Sequence, residues 1–343
     1  MAEGDDLVLV TGATGYVAQH CVDQLLRRGY RVRGTVRPAV PADAVRVPFQ
    51  AIADADRRIE VVAADLTRDD GWDEALKGCR YVLHVAAPFP MVPPRVRDGL
   101  LAPARDGTLR VLRAASRAGV ERTVVTSSTV AVLHGHPGAS DRVFDQSDWT
   151  DTDSPTITSY AYAKTLAERS AWDFAAADRS GMTLATVNPG LILGPIIDSH
   201  LPTSVEILRY LLTGKYPAVP RVGFPVVDVR DVAVAHIAAM ETAAAAGQRY
   251  IAAAGSLWIA DIARLLRQAF PERARRIPRR ELPDLIVRVV ALFDPSLRAV
   301  LPDLGRLFRV STDKARRELG LSWRDLGDTV RDTAQSLIDR GIV

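Results

Sequence analysis

The stretch Val10–Ala18, "VTGATGYVA", places Gly12 and Gly15 directly after a short apolar run and directly before a helical pattern. Glycines at such a turn let backbone amides approach a pyrophosphate at the helix N-terminus, where the helix dipole favours an anion. The spacing is Gly-x-x-Gly, with Ala18 in the third small position, and differs from the usual G-x-G-x-x-G fingerprint. Its place in a strand–turn–helix unit favours phosphate binding over a tight turn without a ligand.

The sequence around this turn alternates short apolar runs with helical patterns. The predicted strands are Leu7–Val10, Arg31–Val36, Ile59–Ala64, Tyr81–Ala87, Arg122–Ser128 and Thr183–Pro189. The predicted helices are Tyr16–Arg28, Leu100–Ala118 and Ser159–Arg179. Continuous β-branched runs separated by helices are typical of a parallel sheet covered on both faces. We therefore predict an α/β fold with a Rossmann-type doubly wound parallel sheet, whose ligands bind at the carboxyl ends of the strands.

The pattern loosens after Gly190, where Pro and Gly become frequent. Helices are predicted in the tail at Ile259–Ala269, Leu282–Phe293, Thr312–Leu319 and Leu326–Gly341. We expect residues 1–190 to form the dinucleotide-binding domain, with parts of 220–255 returning to it. Residues 191–343 are expected to form mainly a smaller, largely helical substrate-binding lobe.

The end of the second predicted strand indicates which dinucleotide binds. A carboxylate there would bind the ribose 2′-hydroxyl of NAD, whereas an arginine would pair with the 2′-phosphate of NADP. Arg37 follows this strand with no carboxylate beside it, and a guanidinium matches the geometry of a phosphate. The pattern favours NADP over NAD, with an ordinary surface arginine as the alternative.

The third and fourth predicted strands also end in residues suited to a dinucleotide. Asp65 follows the third strand and is placed to hydrogen-bond an adenine amino group. Ala86 and Ala87 end the fourth strand, where small side chains leave room for a cofactor across the sheet edge. Taken alone, each of the three is more often a loop residue than a ligand.

Tyr160 and Lys164 mark the predicted chemical end of the site. They are four residues apart on a predicted helix and share one face, whereas Tyr162 and Lys164 do not. A phenol has a pKa near ~10, and a nearby ammonium lowers that pKa. Ser127 and Ser128 end the fifth strand and offer a hydroxyl to a carbonyl oxygen. For the Tyr-Lys pair alone, a solvated helix face is the alternative.

Together these motifs resemble the extended short-chain dehydrogenase/reductases, in the branch of dihydroflavonol reductases, cinnamoyl-CoA reductases and microbial aldehyde/ketone reductases. The matching stretches are "VTGATGYVAQHCVDQLLRRGYRVRGTVR" (Val10–Arg37), "HVAAPF" (His84–Phe89), "VVTSS" (Val124–Ser128), "SYAYAKTLAERSAW" (Ser159–Trp172), "VNPGLILGP" (Val187–Pro195) and "VVDVRDVAVAH" (Val226–His236). They reach from the first strand to about His236 and are specific for the family, but much less so for a substrate.

The resemblance implies an NADPH-dependent carbonyl reductase with Ser128, Tyr160 and Lys164 as the catalytic triad. Tyr160 would protonate the carbonyl oxygen, Ser128 would hydrogen-bond it, and Lys164 would hold the ribose and lower the Tyr160 pKa; Ser127 is the alternative serine. The implied NADP(H)-binding residues are Thr11, Gly12, Thr14, Gly15, Tyr16, Val17, Arg37, Asp65, Leu66, Ala86, Ala87, Pro88, Thr126, Ser127, Tyr160, Lys164, Pro189, Gly190 and Leu191. The implied substrate-binding residues are Phe89, Met91, Ser128, Tyr160 and Pro225.

The implied substrate pocket is apolar. Phe89 and Met91 lie in the proline-rich loop "APFPMVPP", where local packing is their alternative role, and the second wall is expected around Leu191–Ile197 and Pro225–Val227. Such walls favour a hydrophobic aldehyde or ketone, aromatic ones included, over a nucleotide-sugar, whose diphosphate requires arginines. A 3β-hydroxysteroid dehydrogenase or a nucleotide-sugar epimerase of the same superfamily remains an alternative, as does a non-catalytic NADP-sensing regulatory protein.

Two stretches depart from the family pattern. Plant members usually carry a lysine a few residues after the strand-end arginine, but here no second cation follows Arg37 until Arg46. The segment "VLHGHPG" (Val132–Gly138) does not match the substrate loop of the flavonoid-type members. The first departure weakens the expected preference for NADP, and the second argues against a dihydroflavonol substrate.

Composition narrows the partners of the 343-residue chain. The formal charge is +3 and the densest basic run, "RRIPRR", is short, so we expect no nucleic acid partner. No apolar run approaches the ~20 residues of a membrane span, and the acidic first residues predict no signal peptide. Two cysteines are too few for a disulfide framework, which fits a cytoplasmic protein. The family resemblance implies a small-molecule carbonyl substrate, no metal site, and a monomer or a homodimer paired through the helices Leu100–Ala118 and Ser159–Arg179.

Overall fold

A computed structural model describes residues 6–87, 97–136, 142–198, 200–294, 298 and 300–343 of the chain. The strands are β1 Leu7–Val10, β2 Arg31–Val36, β3 Ile59–Ala63, β4 Tyr81–His84, β5 Arg122–Thr126, β6 Val143–Phe144, β7 Thr183–Pro189, β8 Leu191–Leu193, β9 Gly223–Asp228, β10 Gln248–Ala252, β11 Gly255–Trp258 and β12 Arg309–Val310. The helices are α1 Tyr16–Arg27, α2 Asp43–Arg46, α3 Ala55–Arg58, α4 Trp72–Leu76, α5 Leu101–Arg117, α6 Val130–Leu133, α7 Ser159–Ala177, α8 Glu206–Thr213, α9 Val229–Glu241, α10 Ile259–Ala269, α11 Asp284–Val290, α12 Asp313–Leu319 and α13 Leu326–Asp339. Short 3-10 helices lie at Val47–Phe49, Arg97–Leu100, Ala243–Ala245, Pro271–Arg273 and Leu301–Asp303.

Seven parallel strands form the central sheet, in the order β3-β2-β1-β4-β5-β7-β10. Val8 of β1 pairs with Val32 on one side and with Tyr81 on the other. All four residues of β1 and of β4 are buried, as the apolar runs require in a sheet covered on both faces. The strand order reverses between β1 and β4, and a crevice at such a point is where α/β sheets bind ligands. The predicted Rossmann-type fold class is confirmed.

Helices cover both faces of this sheet. On one face, α1, α9 and α12 pack against the strands through buried aliphatic residues such as Leu25 and Ile237. On the other face, α4, α5 and α7 do so through residues such as Trp72 and Leu112. The three layers fix the carboxyl ends of the strands on one rim, and this rim carries the candidate site.

A smaller body of structure follows the sixth strand of the sheet, β7. Strands β8, β9 and β11 form a three-stranded sheet that packs with α8, α10 and α13 around a separate apolar cluster. Asp228 ends β9 and caps α9 by accepting a 2.8 Å hydrogen bond from the Arg230 amide, so "VVDVRDVA" is a structural strand-to-helix turn. The same carboxylate accepts a hydrogen bond from Thr329 of α13, which anchors the tail of the chain.

The structure also differs from the predicted elements. A seventh strand, β10, pairs with β7 at the edge of the sheet; it is short and follows an alanine-rich stretch, so its pattern is weak in the sequence. The predicted helix Leu282–Phe293 is shorter and spans Asp284–Val290, with Pro283 at its N-cap. Among the described residues, we find no helix that is both long and apolar enough to cross a membrane.

Candidate active site

The turn between β1 and α1 brings the backbone into close contact with the end of β4. Gly12 has a φ of 63°, and its amide donates a 3.0 Å hydrogen bond to the Thr35 hydroxyl. A Cβ on Gly12 would lie 2.9 Å from the Cβ of Ala86, which is closer than side chains pack. Gly15 is the N-cap of α1 and has no side chain to occupy the first amides of the helix. The turn therefore presents uncapped amides where the strand order reverses, which suits an anion.

Thr11 braces this turn from below with its side chain. Its hydroxyl oxygen accepts hydrogen bonds from the amides of Val85 and Ala86 at 3.0 and 2.9 Å. Because these two amides occupy its lone pairs, the hydroxyl donates its own proton to Nδ1 of His84, 2.9 Å away. The ring proton of His84 therefore resides on Nε2. Burial, followed by the charge of Lys164, lowers the pKa of His84 to about 3 and keeps the ring neutral. The Thr11 side chain thus links β1 to the end of β4. Thr11 was predicted to bind the cofactor, and its side chain serves to fix the turn that would do so.

Arg37 and Asp65 lie near one another at the rim, beyond β2 and β3. Arg37 is exposed, and its charge contributes to lowering the pKa of Asp65, after the hydrogen bonds that Asp65 accepts from the amide and hydroxyl of Thr67. Asp65 therefore stays a carboxylate that faces a cation across the rim. This arrangement is compatible with an adenosine whose ribose end lies at Arg37.

The other predicted cofactor residues lie around the same rim. Tyr16 begins α1, but its hydroxyl donates a 2.7 Å hydrogen bond to the Gly194 carbonyl, so its ring reaches towards the second body. Leu66 packs closely on α5, where a Cβ on Gly107 would lie 3.1 Å from it. Thr14, Val17 and Leu191 are half-buried. Predicted residues Pro88, Phe89 and Met91 lie outside the described residues.

Helix α7 carries the predicted acid and lysine on one face. Its N-cap, Thr158, accepts a 3.1 Å hydrogen bond from the amide of Ala161, which fixes where the helix begins and hence where Tyr160 points. The Tyr160 side chain is hydrogen-bonded to that of Ser128, and this bond partly offsets the burial that raises the Tyr160 pKa. The structure thus brings the predicted serine and tyrosine together.

Lys164 lies one turn further along α7. Its ammonium donates to the Thr126 carbonyl at 3.4 Å, and it lines a cavity with His84, Ala86, Ala87 and other residues at the ends of β4 and β5. Burial lowers the pKa of Lys164 to about 8, against the opposing charge of Glu168. The Thr126 side chain points elsewhere, because its hydroxyl lies 2.6 Å from Nε2 of His236.

The two serines after β5 have different partners. The Ser127 hydroxyl is buried and donates a 2.5 Å hydrogen bond to Glu168, whereas Ser128 is half-buried and meets Tyr160. Successive residues of an extended chain point to opposite sides, so only one of them can reach the phenol. The geometry favours Ser128 over Ser127 as the residue beside Tyr160.

Pro189, Gly190 and Pro225 form the point where the central sheet meets the second body. The Pro189 carbonyl accepts a 2.9 Å hydrogen bond from the Thr129 amide, next to Ser128. A Cβ on Gly190 would lie 2.3 Å from the carbonyl oxygen of Pro225, so the backbone passes there only without a side chain. Pro225 is buried in β9, directly against this crossing.

Sequence reasoning missed three side chains of the site: His84, Glu168 and Arg249. Glu168 could have been found, because it follows Lys164 by four residues and so continues the Tyr160–Lys164 face. Arg249 could not, since it comes from β10, 81 residues further along the chain, to donate to Glu168 at 2.7 Å. His84 lies in the quoted stretch "HVAAPF", but nothing in the sequence shows that Thr11 fixes its tautomer.

The two histidines of the "VLHGHPG" segment lie beside other side chains. His134 lies 3.3 Å from a carboxylate oxygen of Asp303, and His136 packs on the ring of Phe144. Within the described ranges there is no group of three or more His, Cys, Asp or Glu residues that could hold a metal ion.

Comparison with known proteins identifies the family to which the chain is similar. The model of the family described as "NAD dependent epimerase/dehydratase family" matches residues 8–253. A cinnamoyl-CoA reductase of Medicago truncatula is 32% identical over 340 residues, which cover 98% of this chain and 96% of the relative. The ketoreductase azaE of Aspergillus niger is 32% identical over 351 residues, 97% of this chain and 98% of the relative. The crystal structure of the yeast methylglyoxal/isovaleraldehyde reductase Gre2, complexed with NADPH, has a TM-score of 0.81 at 28% identity, covering 98% of this chain and all of that one.

Proposed function

Because the chain belongs to the NAD dependent epimerase/dehydratase family, that is, to the extended short-chain dehydrogenase/reductases, we propose that Ser128, Tyr160 and Lys164 reduce a carbonyl group. The chain is an NADP-dependent oxidoreductase of the reductase branch of this family. One observation carries the proposal of the triad: the side chains of Ser128 and Tyr160 are hydrogen-bonded beside the half-buried Lys164, on the rim that also holds the β1–α1 turn.

NADPH, when bound, supplies the hydride for the carbonyl carbon. Of the protein groups, Tyr160 donates the proton that the carbonyl oxygen takes up, and Ser128 hydrogen-bonds that oxygen. Burial raises the pKa of Tyr160, so the phenol holds its proton at neutral pH until the oxygen becomes basic. The tyrosinate that remains is stabilised by the Ser128 hydroxyl and by the Lys164 ammonium one helical turn away.

The proposed cofactor site uses the backbone of the β1–α1 turn for the pyrophosphate and Arg37 for the 2′-phosphate. Support comes from the exposed guanidinium beside Asp65 and from the absence of a carboxylate directly at the end of β2. Lys164 would hold the ribose at the opposite end, as a donor to its hydroxyls. The remaining cofactor residues proposed from the sequence lie around this path.

We propose a hydrophobic aldehyde or ketone as the substrate. Pro225 and Leu191 supply apolar surface where the second body meets the sheet, and the named relatives are reductases of carbonyl compounds. In this proposal residues 1–190, with parts of 220–255, hold the cofactor, and residues 191–343 mainly hold the substrate. Phe89 and Met91 remain proposed substrate contacts.

The decisive experiment replaces Tyr160 by Phe. We expect Tyr160→Phe to lower kcat for carbonyl reduction by at least about 10²-fold, the usual contribution of a positioned acid, while NADPH still binds in a fluorescence titration. Tyr162→Phe is the matched control, because Tyr162 lies off the Lys164 face, and it should keep its turnover. Turnover by Tyr160→Phe at the wild-type rate would refute the triad, whereas tight NADPH binding by a wild-type protein inactive on a broad carbonyl panel would favour the NADP-sensing alternative.

A further inference from the structure

Glu168 stands at the centre of a buried hydrogen-bond network behind the triad. Its side chain is 1% exposed, and its two oxygens accept hydrogen bonds from strands β7 and β10, from the residue that follows β5, and from its own helix. The donors are Ser127 at 2.5 Å, Thr186 at 3.0 Å, Asn188 at 2.8 Å, Arg249 at 2.7 Å and Trp172 at 3.4 Å. A carboxylate in such a place is tolerable only when it is paired and hydrogen-bonded.

Arg249 supplies the pairing charge and is itself held on three sides. Its side chain is 10% exposed, it donates to the carbonyls of Gln146 and Asp148 at 2.6 and 2.8 Å, and its guanidinium lies 3.6 Å from the centre of the Trp149 ring. The ion pair therefore fixes the segment before α7 as well as the helix itself. Because Arg249 is fixed by these contacts, it holds the Glu168 carboxylate on the side of α7 that carries Lys164.

The network touches both protein groups that flank Tyr160. Tyr160, Lys164 and Glu168 follow each other at intervals of four residues on one helix face, and Lys164 and Glu168 line the same cavity. Through Ser127, Glu168 also fixes the residue next to Ser128, which turns the Ser128 side chain to the side of Tyr160. Asn188 adds a 3.3 Å donation to the Ser128 carbonyl.

The charged and titratable groups around Lys164 are few. From β4 comes His84, which is neutral; from α7 come Tyr160 and Glu168; and from β10 comes Arg249, whose charge is engaged by Glu168. The helix α5 contributes Ala104 and Thr108 to the cavity wall, which carry no charge. Of the described groups that line this cavity, Glu168 alone is negative, so it is the counter-charge to the half-buried ammonium of Lys164.

We propose that Glu168, held by Arg249, is a positioning residue that keeps Lys164 as an ammonium ion and turns Ser128 towards Tyr160. The inference rests on the proposed function of the triad, and it assigns the charge behind that triad to one residue. Burial alone would discharge Lys164 at a lower pH, because a buried ammonium loses hydration. The opposing effect of Glu168 on the pKa of Lys164 has the required direction.

The test measures the pH dependence of kcat for carbonyl reduction in the full-length protein with saturating NADPH. The wild type should lose activity above about pH 8 as Lys164 deprotonates. In Glu168→Gln this alkaline limb should move to lower pH by about one pH unit or more, the usual effect of losing a close opposite charge. A limb that stays in place in folded Glu168→Gln overturns the proposal.

A single substitution leaves Arg249 buried without its partner, so a folding defect must be separated from the charge effect. The double variant Glu168→Gln/Arg249→Met removes both charges and keeps the volume. If the network were only structural, a double variant with restored thermal stability would show the alkaline limb of kcat at its wild-type pH. We expect the limb to stay displaced to lower pH, as in Glu168→Gln. Glu168→Asp keeps the charge and the pair, and should lower kcat with the limb near its wild-type position; a limb displaced as far as in Glu168→Gln overturns the proposal.

A readout without turnover separates failure of this inference from failure of the proposed function. The rate of acetylation of Lys164 by acetic anhydride, followed by mass spectrometry in the cofactor-free protein, reports its deprotonated fraction at each pH. The midpoint should lie near pH 8 in the wild type and lower in Glu168→Gln. A wild type without carbonyl turnover refutes the function while this titration still tests Glu168, and equal midpoints refute the role of Glu168 alone.

Discussion

The turn of residues 10–18 and the Tyr160–Lys164–Glu168 face of α7 stand on the same rim, yet they are built by different physical means. The turn is shaped by backbone conformation and by close steric contact, as at Gly12 against Ala86. The α7 face is shaped by charge with little access to water, since Glu168 is 1% exposed and Lys164 is half-buried. One region therefore tolerates no added atom, and the other tolerates no lost charge.

This difference separates the expected defects of variants in the two regions. A change in the turn should act on cofactor affinity, because the amides there only bind. A change on the α7 face should act on kcat, because the groups there exchange a proton or set its position. Three of the four predictions that follow test this separation, and each would weaken it by acting on the wrong parameter; the remaining one concerns the stability of both regions.

The largest effect is expected at the serines. Ser128→Ala removes a donor to the carbonyl oxygen and should lower kcat by about 10²–10³-fold, as the loss of one such donor does elsewhere, with little change in the Kd of NADPH. Ser127→Ala is the matched neighbour and should instead lower the free energy of unfolding by about 1–3 kcal/mol, because a buried Glu168 oxygen loses a donor. Steady-state kinetics and thermal unfolding of both variants decide the matter, and the reverse pattern would make Ser127 the catalytic serine.

The next effect belongs to the turn. Gly12→Ala forces a side chain into a φ of 63°, which costs about 1–2 kcal/mol, and presses it onto Ala86. We expect the Kd of NADPH to rise about 30-fold, the equivalent of the upper end of that cost, with a smaller change in kcat at saturation. Gly29→Ala is the control, because its φ is 91° and a Cβ there meets nothing within 4 Å. It should lose stability without losing affinity, and equal affinity losses in both would attribute the defect to folding.

The same contrast explains how far the sequence could be interpreted. The turn, Tyr160 and Lys164 were predicted because strand–turn–helix order and four-residue spacing are local properties of the chain. The resemblance already favoured Ser128 over Ser127, but the physical reason needed three dimensions, because it is the Ser127 hydroxyl that donates to Glu168. Arg249 was invisible for the same reason: its partner is distant in sequence, and no local pattern links a strand at the sheet edge to α7.

Acidification should weaken the fold through buried histidines behind both regions. Burial, with a smaller effect of the Lys164 charge, lowers the pKa of His84 to about 3. Burial also lowers the pKa of His236 to about 4, whereas the pKa of a histidine in an unfolded chain is ~6.5. The unfolded state then binds more protons between these values, so stability that is full above about pH 6.5 is lost as the pH falls towards 4 and 3. We expect a loss of about 2 kcal/mol near pH 5 for each histidine, seen as a falling Tm. His236→Gln should flatten this fall, whereas exposed His200→Gln should not, and identical curves would remove His236 as a cause.

The smallest effect is expected at Arg37, which is exposed and acts through a charge at the rim. Arg37→Ala should lower the NADPH/NADH ratio of kcat/KM by about tenfold or more, since a charge-assisted bond to a phosphate contributes about 1.5–3 kcal/mol, and kcat with saturating NADPH should change little. Because salt screens an exposed pair, the two cofactors must be compared at one ionic strength. Arg57→Ala, a surface arginine paired with Asp54, is the control and should keep the ratio. An unchanged ratio in Arg37→Ala would show that the 2′-phosphate binds at another residue. Arg46→Ala would then be the variant to test, because Arg46 is the next cation along the chain and its buried Nε lacks a partner among the described residues.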